Sequence, residues 1–545
     1  MSSKLLENKA FLYMTEFFSG MSVMAVELGA SRLLAPYFSS SQIIYPIIIG
    51  TVMIAMALGN LYGGRSADRD PDPARLYRRM LIASIWIAAI PFAGRYIILL
   101  ISGLLILSSS TGFLTAAAFA SCMALFVFPL FLLGTVTPSL VRYILENAGE
   151  SGEVVGRLGA FNTIGSILGT FLPTFVTIPA FGTSASFVIF SGVLLLLSLA
   201  YFLSAGGFGK RAAALTAVFV AVSLLSANAS FAFWEDELLY EGDSVYNYLQ
   251  VKEDDESVIL STNVLFGVQS IMMKDGGLTG MYYDYALAAP VMASAASDGE
   301  ALDILILGNG SGTFASQCSK YFPGSDIEGV EIDGKITELA YRYFDMPESV
   351  STFEYDGRAF IQQSEKLYDV ILVDAYQDIT IPFQMSSREF FSLVNEHLKD
   401  GGVMVVNMNM HSDGEGSINE YLSDTICGVF GSVCTVDVPH MSNRELFALK
   451  SGNSTDPAEL LKQGRAEFAG DASPEAEDVY SLCGDISERL RPCVMSENAY
   501  LLTDDKAPVE LLGKKMIDSL IDEELSYYRG IYEREGLRGL VDYLI

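Results

Sequence analysis

Four carboxylates in the second half of the chain are placed to do chemistry: Glu331, Asp356, Asp374 and Asp378. They fall at or just beyond the ends of three stretches that read as strands, at 327–331, 351–355 and 369–374. A fourth run, Leu302 to Leu307, breaks into Gly308-Asn309-Gly310-Ser311-Gly312. A strand, a tight glycine turn, a helix and a strand closed by an acid is the sequence form of a nucleotide-binding βαβ unit. The glycines let backbone approach a ligand closely, and an acid about 20 positions on accepts hydrogen bonds from ribose hydroxyls. Ligands of open parallel sheets bind outside the carboxyl ends of the strands, so the four loops are expected to converge on one pocket. That pocket carries several carboxylates and few cations, which suits a sulfonium or an amine better than a phosphate-rich ligand. There is no GxxxxGK[ST] stretch, which argues against a P-loop nucleotidase. The plainer reading of such acids is helix capping, and Asp333 is most open to it.

The elements that must position these residues follow from periodicity. Strands are expected at 302–307, 327–331, 351–355, 369–374, 402–407 and 445–449, and helices at 313–321, 334–344, 387–399 and 417–430. Strands alternating with helices imply a mostly parallel sheet covered on both faces, in a domain over 291–545. Ahead of it, 232–290 reads as a small β region, with strands at 244–251 and 264–273 and a turn at 274–277. Residues 453–496 are polar and read as a surface insertion, and 509–545 as helical by period.

Residues 1–231 read as a membrane domain. Stretches nearly free of charge cover 10–36, 42–63, 80–94, 96–141, 158–180, 182–203 and 212–231, and about 20 apolar residues suffice to cross a bilayer as a helix. Gly50, Gly59, Gly63, Gly159, Gly165 and Gly169 suit close helix–helix approach. The arginines at 65, 69, 75, 78 and 79 place loop 64–79 in the cytoplasm. Three crossings in 80–141 make eight in all and leave the following domain cytoplasmic; two make seven and leave it outside. A cytosolic ligand favours eight, and Lys210 with Arg211 favours seven. The ligand argument is given more weight, so a bacterial inner-membrane protein with a cytoplasmic α/β domain is expected. Glu16, Glu27 and Arg32 in the first span are functional candidates by default, against the plainer reading of an intramembrane ion pair or of side chains snorkelling to an interface.

Charge divides the chain at the same place. Lys+Arg and Asp+Glu number 13 and 9 in 1–231 but 21 and 56 in 232–545, a net of −35 in the second part. An acidic surface repels phosphates, so nucleic acid is not an expected partner. The histidines at 397, 411 and 440 are too few and too dispersed for a zinc site, and the six cysteines form no CxxC pair. No metal is expected, nor a disulfide framework. Cys483 and Cys493 would pair only in an oxidising compartment.

The motifs SVYNYLQV, FGVQS, YYDYALAAP, GNGSGT, VEID, YDGRAF, VDAYQD and LLTDDKAPVE, in that order, resemble the spermidine synthases, the aminopropyltransferase family. The helical part resembles the half-transporter-like domain fused to such enzymes in bacteria, through VELGASRLLAPYF, ALGNLYGGRSADR and LFLLGTVTPSLVR. The resemblance implies a polytopic helical membrane domain followed by an α/β Rossmann-like, class I methyltransferase-like domain. It implies an aminopropyl donor, decarboxylated S-adenosylmethionine, and an amine acceptor such as putrescine in polyamine biosynthesis, with a homodimer as the family's usual state. Carried over by motif, Gln269 and Tyr282 would lie near the donor's tail and sulfonium, Gly308 and Gly310 near its nucleoside, Glu331 on the ribose, and Asp356 with Gly357 at the adenine. Asp374 would be the catalytic carboxylate.

This sequence departs from the family's pattern. Ser311 stands where the family has an acid that helps hold the aminopropyl ammonium. Asp374 and Asp378 are spaced one residue wider than the family's pair, and Tyr283 stands in place of a histidine. Losing the acid at 311 removes a counterion for the decarboxylated donor, and also a repulsion against the carboxylate of S-adenosylmethionine itself. Two other readings therefore stand: an S-adenosylmethionine-dependent methyltransferase or aminocarboxypropyl transferase acting on a membrane-associated substrate, and a transporter with a sensor domain.

Overall fold

The computed structural model describes residues 8–38, 44–106, 112–145, 151–206, 209–227, 229–232, 238–263, 268–297, 300–375, 381–409, 414–450 and 455–513, with isolated positions besides. Among the described residues, eight α-helices come first: α1 (Lys9–Phe38), α2 (Ile44–Arg69), α3 (Pro73–Ile106), α4 (Phe113–Gly134), α5 (Val136–Leu145), α6 (Ser151–Leu172), α7 (Ile178–Ser204) and α8 (Lys210–Ala227). Five segments among the described residues are long and apolar enough to cross a membrane: Lys9–Phe38, Ile44–Arg69, Pro73–Leu105, Phe113–Leu145 and Gly152–Ser204. The last is 53 residues long, and the chain turns within it at Gly182, where φ is 82° and ψ 167°. α8 adds a shorter apolar helix.

Side-chain contacts fix the directions of these helices. α1 and α6 run parallel, since Phe17 lies against Gly165 and Met21 against Gly169 with no room for a side chain at either glycine. α1 and α3 are parallel too: Thr15 meets Tyr77 at 3.1 Å and Leu33 lies beside Gly94. α7 runs against them, with Ser22 bonded to the Phe190 carbonyl and Phe187 beside Gly29. Gly59 and Gly63 seat α2 on α4 and α5, whereas Gly50 and Gly159 face open space, so these two expected contacts are not made.

The stretch 80–141, left open between two and three crossings, is occupied by two long apolar segments, α3 and the α4–α5 pair. Arg95 separates the charge-free stretches 80–94 and 96–141. The guanidinium is accommodated within α3, stacked on Phe92 and Tyr96 and donating to the Ser230 carbonyl at 2.7 Å.

A four-stranded antiparallel sheet follows, with β1 (Leu238–Asp243), β2 (Tyr248–Glu253), β3 (Ser257–Ser261) and β4 (Ser270–Met273) in sequential order. Sequence reading saw two strands here. It ran β2 back across the turn at 244–247 and missed β1 and β3. Positions 264–267 of the second expected strand lie outside the described residues. The sheet is anchored to the bundle: Arg32 donates to the Val245 carbonyl, and the Thr183 N–H donates to Asp243 at 2.8 Å.

The α/β domain opens with α9 (Tyr282–Ala286) and α10 (Ala288–Ala296). Then come β5 (Asp303–Leu307), α11 (Thr313–Tyr321), β6 (Asp326–Glu331), α12 (Gly334–Tyr343), β7 (Ser351–Glu354), α13 (Gly357–Gln363) and β8 (Tyr368–Val373). After α14 (Arg388–His397), β9 (Leu398–Met408) and α15 (Ile418–Cys427), the chain forms β10 (Ser432–Asp437) and β11 (Arg444–Leu449). The sheet order is β12-β10-β11-β9-β8-β5-β6-β7, where β12 is Arg491–Pro492. β9, β8, β5, β6 and β7 are parallel, and β10, β11 and β12 antiparallel. β8 is buried along its whole length, as a strand covered on both faces must be.

The polar stretch 453–496 is not a loose surface insertion. It forms α16 (Pro457–Glu467) and α17 (Pro474–Arg489), whose Leu461, Val479, Cys483 and Ile486 are fully buried in the core on one sheet face. The apolar residues needed for this are diluted among exposed acids, which hid the helical period. The expected tail helix at 509–545 lies mostly outside the described residues.

Candidate active site

Asp374 leaves the carboxyl end of β8, and its N–H donates to the Leu307 carbonyl of β5 at 2.9 Å. The strand register therefore brings it against the glycine turn. Gly308 has φ +94°, and a Cβ there would stand 2.5 Å from the Asp374 carbonyl oxygen. Only glycine permits that backbone conformation and that approach together. The Asp374 carboxylate is held on both oxygens: Asn407 Nδ2 of β9 donates to Oδ1 at 2.9 Å, and the Tyr282 hydroxyl of α9 donates to Oδ2 at 2.9 Å. Burial pushes the carboxyl up to about 7; the two hydrogen bonds pull it down and the charge of Glu331 pushes it up.

Glu331 closes β6. Its Oε2 accepts the Gly310 N–H and its Oε1 the Asp333 N–H, each at 3.0 Å. Each oxygen retains a second lone pair for a hydroxyl donor. Burial, opposed by these hydrogen bonds, holds its carboxyl above the usual range. The turn is also tied to the small sheet: Ser311 N–H donates to Ser270 Oγ at 3.0 Å, and Thr313 Oγ1 bonds the Ile271 carbonyl at 2.8 Å. The Ser311 hydroxyl is buried without a partner.

Asp356 caps α13, accepting the Ala359 N–H at 2.8 Å, and Gly357 is the first residue of that helix. Arg358 forms a two-pronged ion pair with Asp504 of the LLTDDKAPVE stretch, both contacts at 2.7 Å, so that stretch holds the α13 turn in place. Asp333 caps α12, as its plainer reading has it. Gln269 is half-buried, and its carbonyl accepts the Tyr283 hydroxyl at 2.6 Å. Asp378 lies outside the described residues. The structure thus groups Asp374, Glu331, Gly308, Gly310, Ser311 and Tyr282 at one sheet edge, with Asp356 and Gly357 opening the adjacent helix.

Glu16, Glu27 and Arg32 are far apart in role. The buried Glu16 accepts from Thr137 at 2.6 Å and Asn162 at 2.8 Å. Arg32, half-buried like Glu27, donates its guanidinium to the Val245 carbonyl, so the ion pair of the plainer reading is not formed between Glu27 and Arg32.

Sequence reasoning missed three residues of this edge: Asn407, Asn443 and Glu445. Asn443 Nδ2 donates to Asn407 Oδ1 at 2.9 Å, extending the chain of bonds that ends on Asp374. The signal was present as polar residues at the ends of otherwise apolar strands, VMVVN and ELFAL.

A glycine turn and carboxylates at the carboxyl edge of such a sheet define a Rossmann-like domain of the class I methyltransferase type. Residues 287–453 match the spermine/spermidine synthase domain. Over 351 residues, 63% of this chain and 77% of the relative, the sequence is 52% identical to a protein of Bifidobacterium longum (strain NCC 2705) described as a probable polyamine aminopropyl transferase. A polyamine aminopropyltransferase of Vibrio vulnificus (strain CMCP6) is 27% identical over 296 residues, 52% of this chain and 93% of that one. A crystal structure of a probable spermidine synthase from Corynebacterium glutamicum ATCC 13032 aligns with 48% of this chain and 98% of its own at 20% identity, with a TM-score of 0.36. The chain belongs to the polyamine aminopropyltransferase family, and it is a transferase of the spermidine synthase-like type preceded by long apolar helices.

Proposed function

We propose that the protein transfers the aminopropyl group of decarboxylated S-adenosylmethionine to an alkylamine such as putrescine, with Asp374 as the proton acceptor. The observation that carries this is the Asp374 carboxylate, clamped by Tyr282 and Asn407 beside the glycine turn. An alkylammonium has a pKa near 10, so its nucleophilic form must be generated at the site. A carboxylate brought to about 7 is well matched to taking that proton near neutral pH. The amine nitrogen bonds to the methylene carbon next to the sulfonium, the carbon–sulfur bond breaks, and methylthioadenosine leaves. Glu331 takes the ribose hydroxyls, Asp356 and Gly357 the adenine, and Gln269 with Tyr282 the aminopropyl arm. Calorimetry on the full-length protein tests the donor. Tighter binding of the decarboxylated form supports this reading. Tighter binding of intact S-adenosylmethionine moves it to methyl or aminocarboxypropyl transfer, the reading that Ser311 favours.

We also propose that the helical domain sits in a membrane. The charges of its two ends support an α/β domain on the outer side, not the cytoplasmic side expected from a cytosolic donor. Arg65, Arg69, Arg75, Arg78 and Arg79 flank the α2–α3 turn, and Lys9, Arg142, Arg157 and Lys210 lie toward that same end. Among the described residues, Arg32 and Arg95 are the only Lys or Arg toward the other end, where α8 leads to the α/β domain. Basic flanks stay inside. Alkaline phosphatase fused after the last residue should be active. A fluorescent protein that matures there in the cytoplasm would overturn this placement.

A further inference from the structure

Glu445 is the second residue of β11, paired across from Asn407 of β9. It is fully buried, with Leu446, Phe447, Ala448 and Leu449 after it equally buried. Neither of its carboxyl oxygens has a hydrogen-bond partner. A buried polar group without a partner is costly, and a buried charge more so, so an apolar side chain would serve the core better. The carboxyl faces the site. Glu445 shares a strand face with Phe447 and Leu449, whose side chains join the core that holds Tyr282 and Tyr283. Asn407, opposite it, bonds Asp374. Asp374, Asn407 and Glu445 thus stand in line across three neighbouring strands, about 10 Å from first to last at the strand spacing. Burial first, and the charge of Asp374 second, push the Glu445 carboxyl well above its ordinary range, which agrees with that proximity.

We propose that Glu445 anchors the second ammonium of a diamine acceptor whose first nitrogen lies at Asp374. An ammonium brings three N–H donors and a positive charge, which are what the two unpartnered oxygens lack. Its arrival offsets the repulsion between the two carboxylates, so the pair selects an α,ω-diamine over a monoamine of equal length. This inference rests on the aminopropyl-transfer reading.

The test measures kcat/KM for putrescine and for n-butylamine with the decarboxylated donor, in the full-length protein and in Glu445→Gln. A charge-assisted hydrogen bond is worth roughly 10- to 150-fold, so the preference for the diamine should fall by about that factor, mostly through KM. Donor affinity, unchanged in Glu445→Gln, shows that the site is still formed. Glu445→Leu should lose the same preference and melt at a higher temperature, which separates the binding role from a need of the fold. An unchanged preference in both variants overturns the Glu445 assignment alone. Failure of the wild-type protein to turn over either amine overturns the transfer reading, and this inference with it.

Discussion

Tyr282 and Asp374 are 92 positions apart in sequence, yet the tyrosine hydroxyl donates to the aspartate at 2.9 Å. Burial raises the tyrosine's own pKa well above its ordinary value, so it stays a donor at any pH at which the protein works. The bond therefore tunes Asp374 downward against the effect of burial.

Tyr282→Phe removes one of two hydrogen bonds that lower the Asp374 pKa. The acidic limb of kcat/KM, expected near pH 7 in the wild type, should move to higher pH, and the rate at neutral pH should fall by about 10-fold. A pH–rate profile of the two proteins checks this. A limb that stays in place would remove Tyr282 from the tuning.

Asp374→Asn should lower the rate by about 100- to 10,000-fold, the usual contribution of a positioned proton acceptor. It should also stabilise the fold at high pH. The native carboxyl has a pKa raised from 3.8 to about 7, so between those values the folded state holds a proton that the unfolded chain has released. Stability then falls as pH rises through that window, by at most about 4 kcal/mol. Thermal midpoints should coincide near pH 4 and favour the variant at pH 8.5. A difference that does not change with pH would contradict the assigned shift.

Gly308→Ala introduces a methyl group where φ is +94° and the Asp374 carbonyl is 2.5 Å from its Cβ. The strain alone costs roughly 1–3 kcal/mol, and relief requires the Asp374 loop to withdraw from the turn. Donor binding should be lost by calorimetry, with a lower melting temperature. Unimpaired donor binding would show that the turn does not approach the nucleoside.

Cys427 and Cys493 have sulfurs 3.5 Å apart, whereas Cys483 is fully buried elsewhere, so Cys427, not Cys483, is the partner placed for Cys493 under oxidising conditions. The hydrogen bond from Cys427 lowers the Cys493 thiol to about 7, making it the ready nucleophile of the pair. An α/β domain outside the cytoplasm would meet oxidising conditions. Peptide mapping after acid quenching should then recover a Cys427–Cys493 disulfide. Full alkylation of both thiols would favour a cytoplasmic domain.

Much of this site was legible in the sequence, because Glu331 and Asp374 end largely buried apolar strands, and Gly308 to Gly312 break the first run sharply. Asp374, Glu331 and the glycines are therefore placed on one edge by the sequence alone. Asn407, Asn443 and Glu445 are not. Asn407 ends β9, but its bond to Asp374 depends on the register of β8 and β9, and Asn443 and Glu445 reach it only through the antiparallel pairing of β11 with β9, which local periodicity does not carry. The helical domain failed in the opposite way. Arg95 looked like a span boundary, because sequence cannot show that Phe92, Tyr96 and the Ser230 carbonyl receive its charge.

The most direct test identifies the nucleoside released by the full-length protein given the decarboxylated donor, intact S-adenosylmethionine and putrescine together. Aminopropyl transfer predicts methylthioadenosine, formed in step with spermidine and abolished in Asp374→Asn. Adenosylhomocysteine as the product, or methylthioadenosine release that persists in Asp374→Asn, would contradict it.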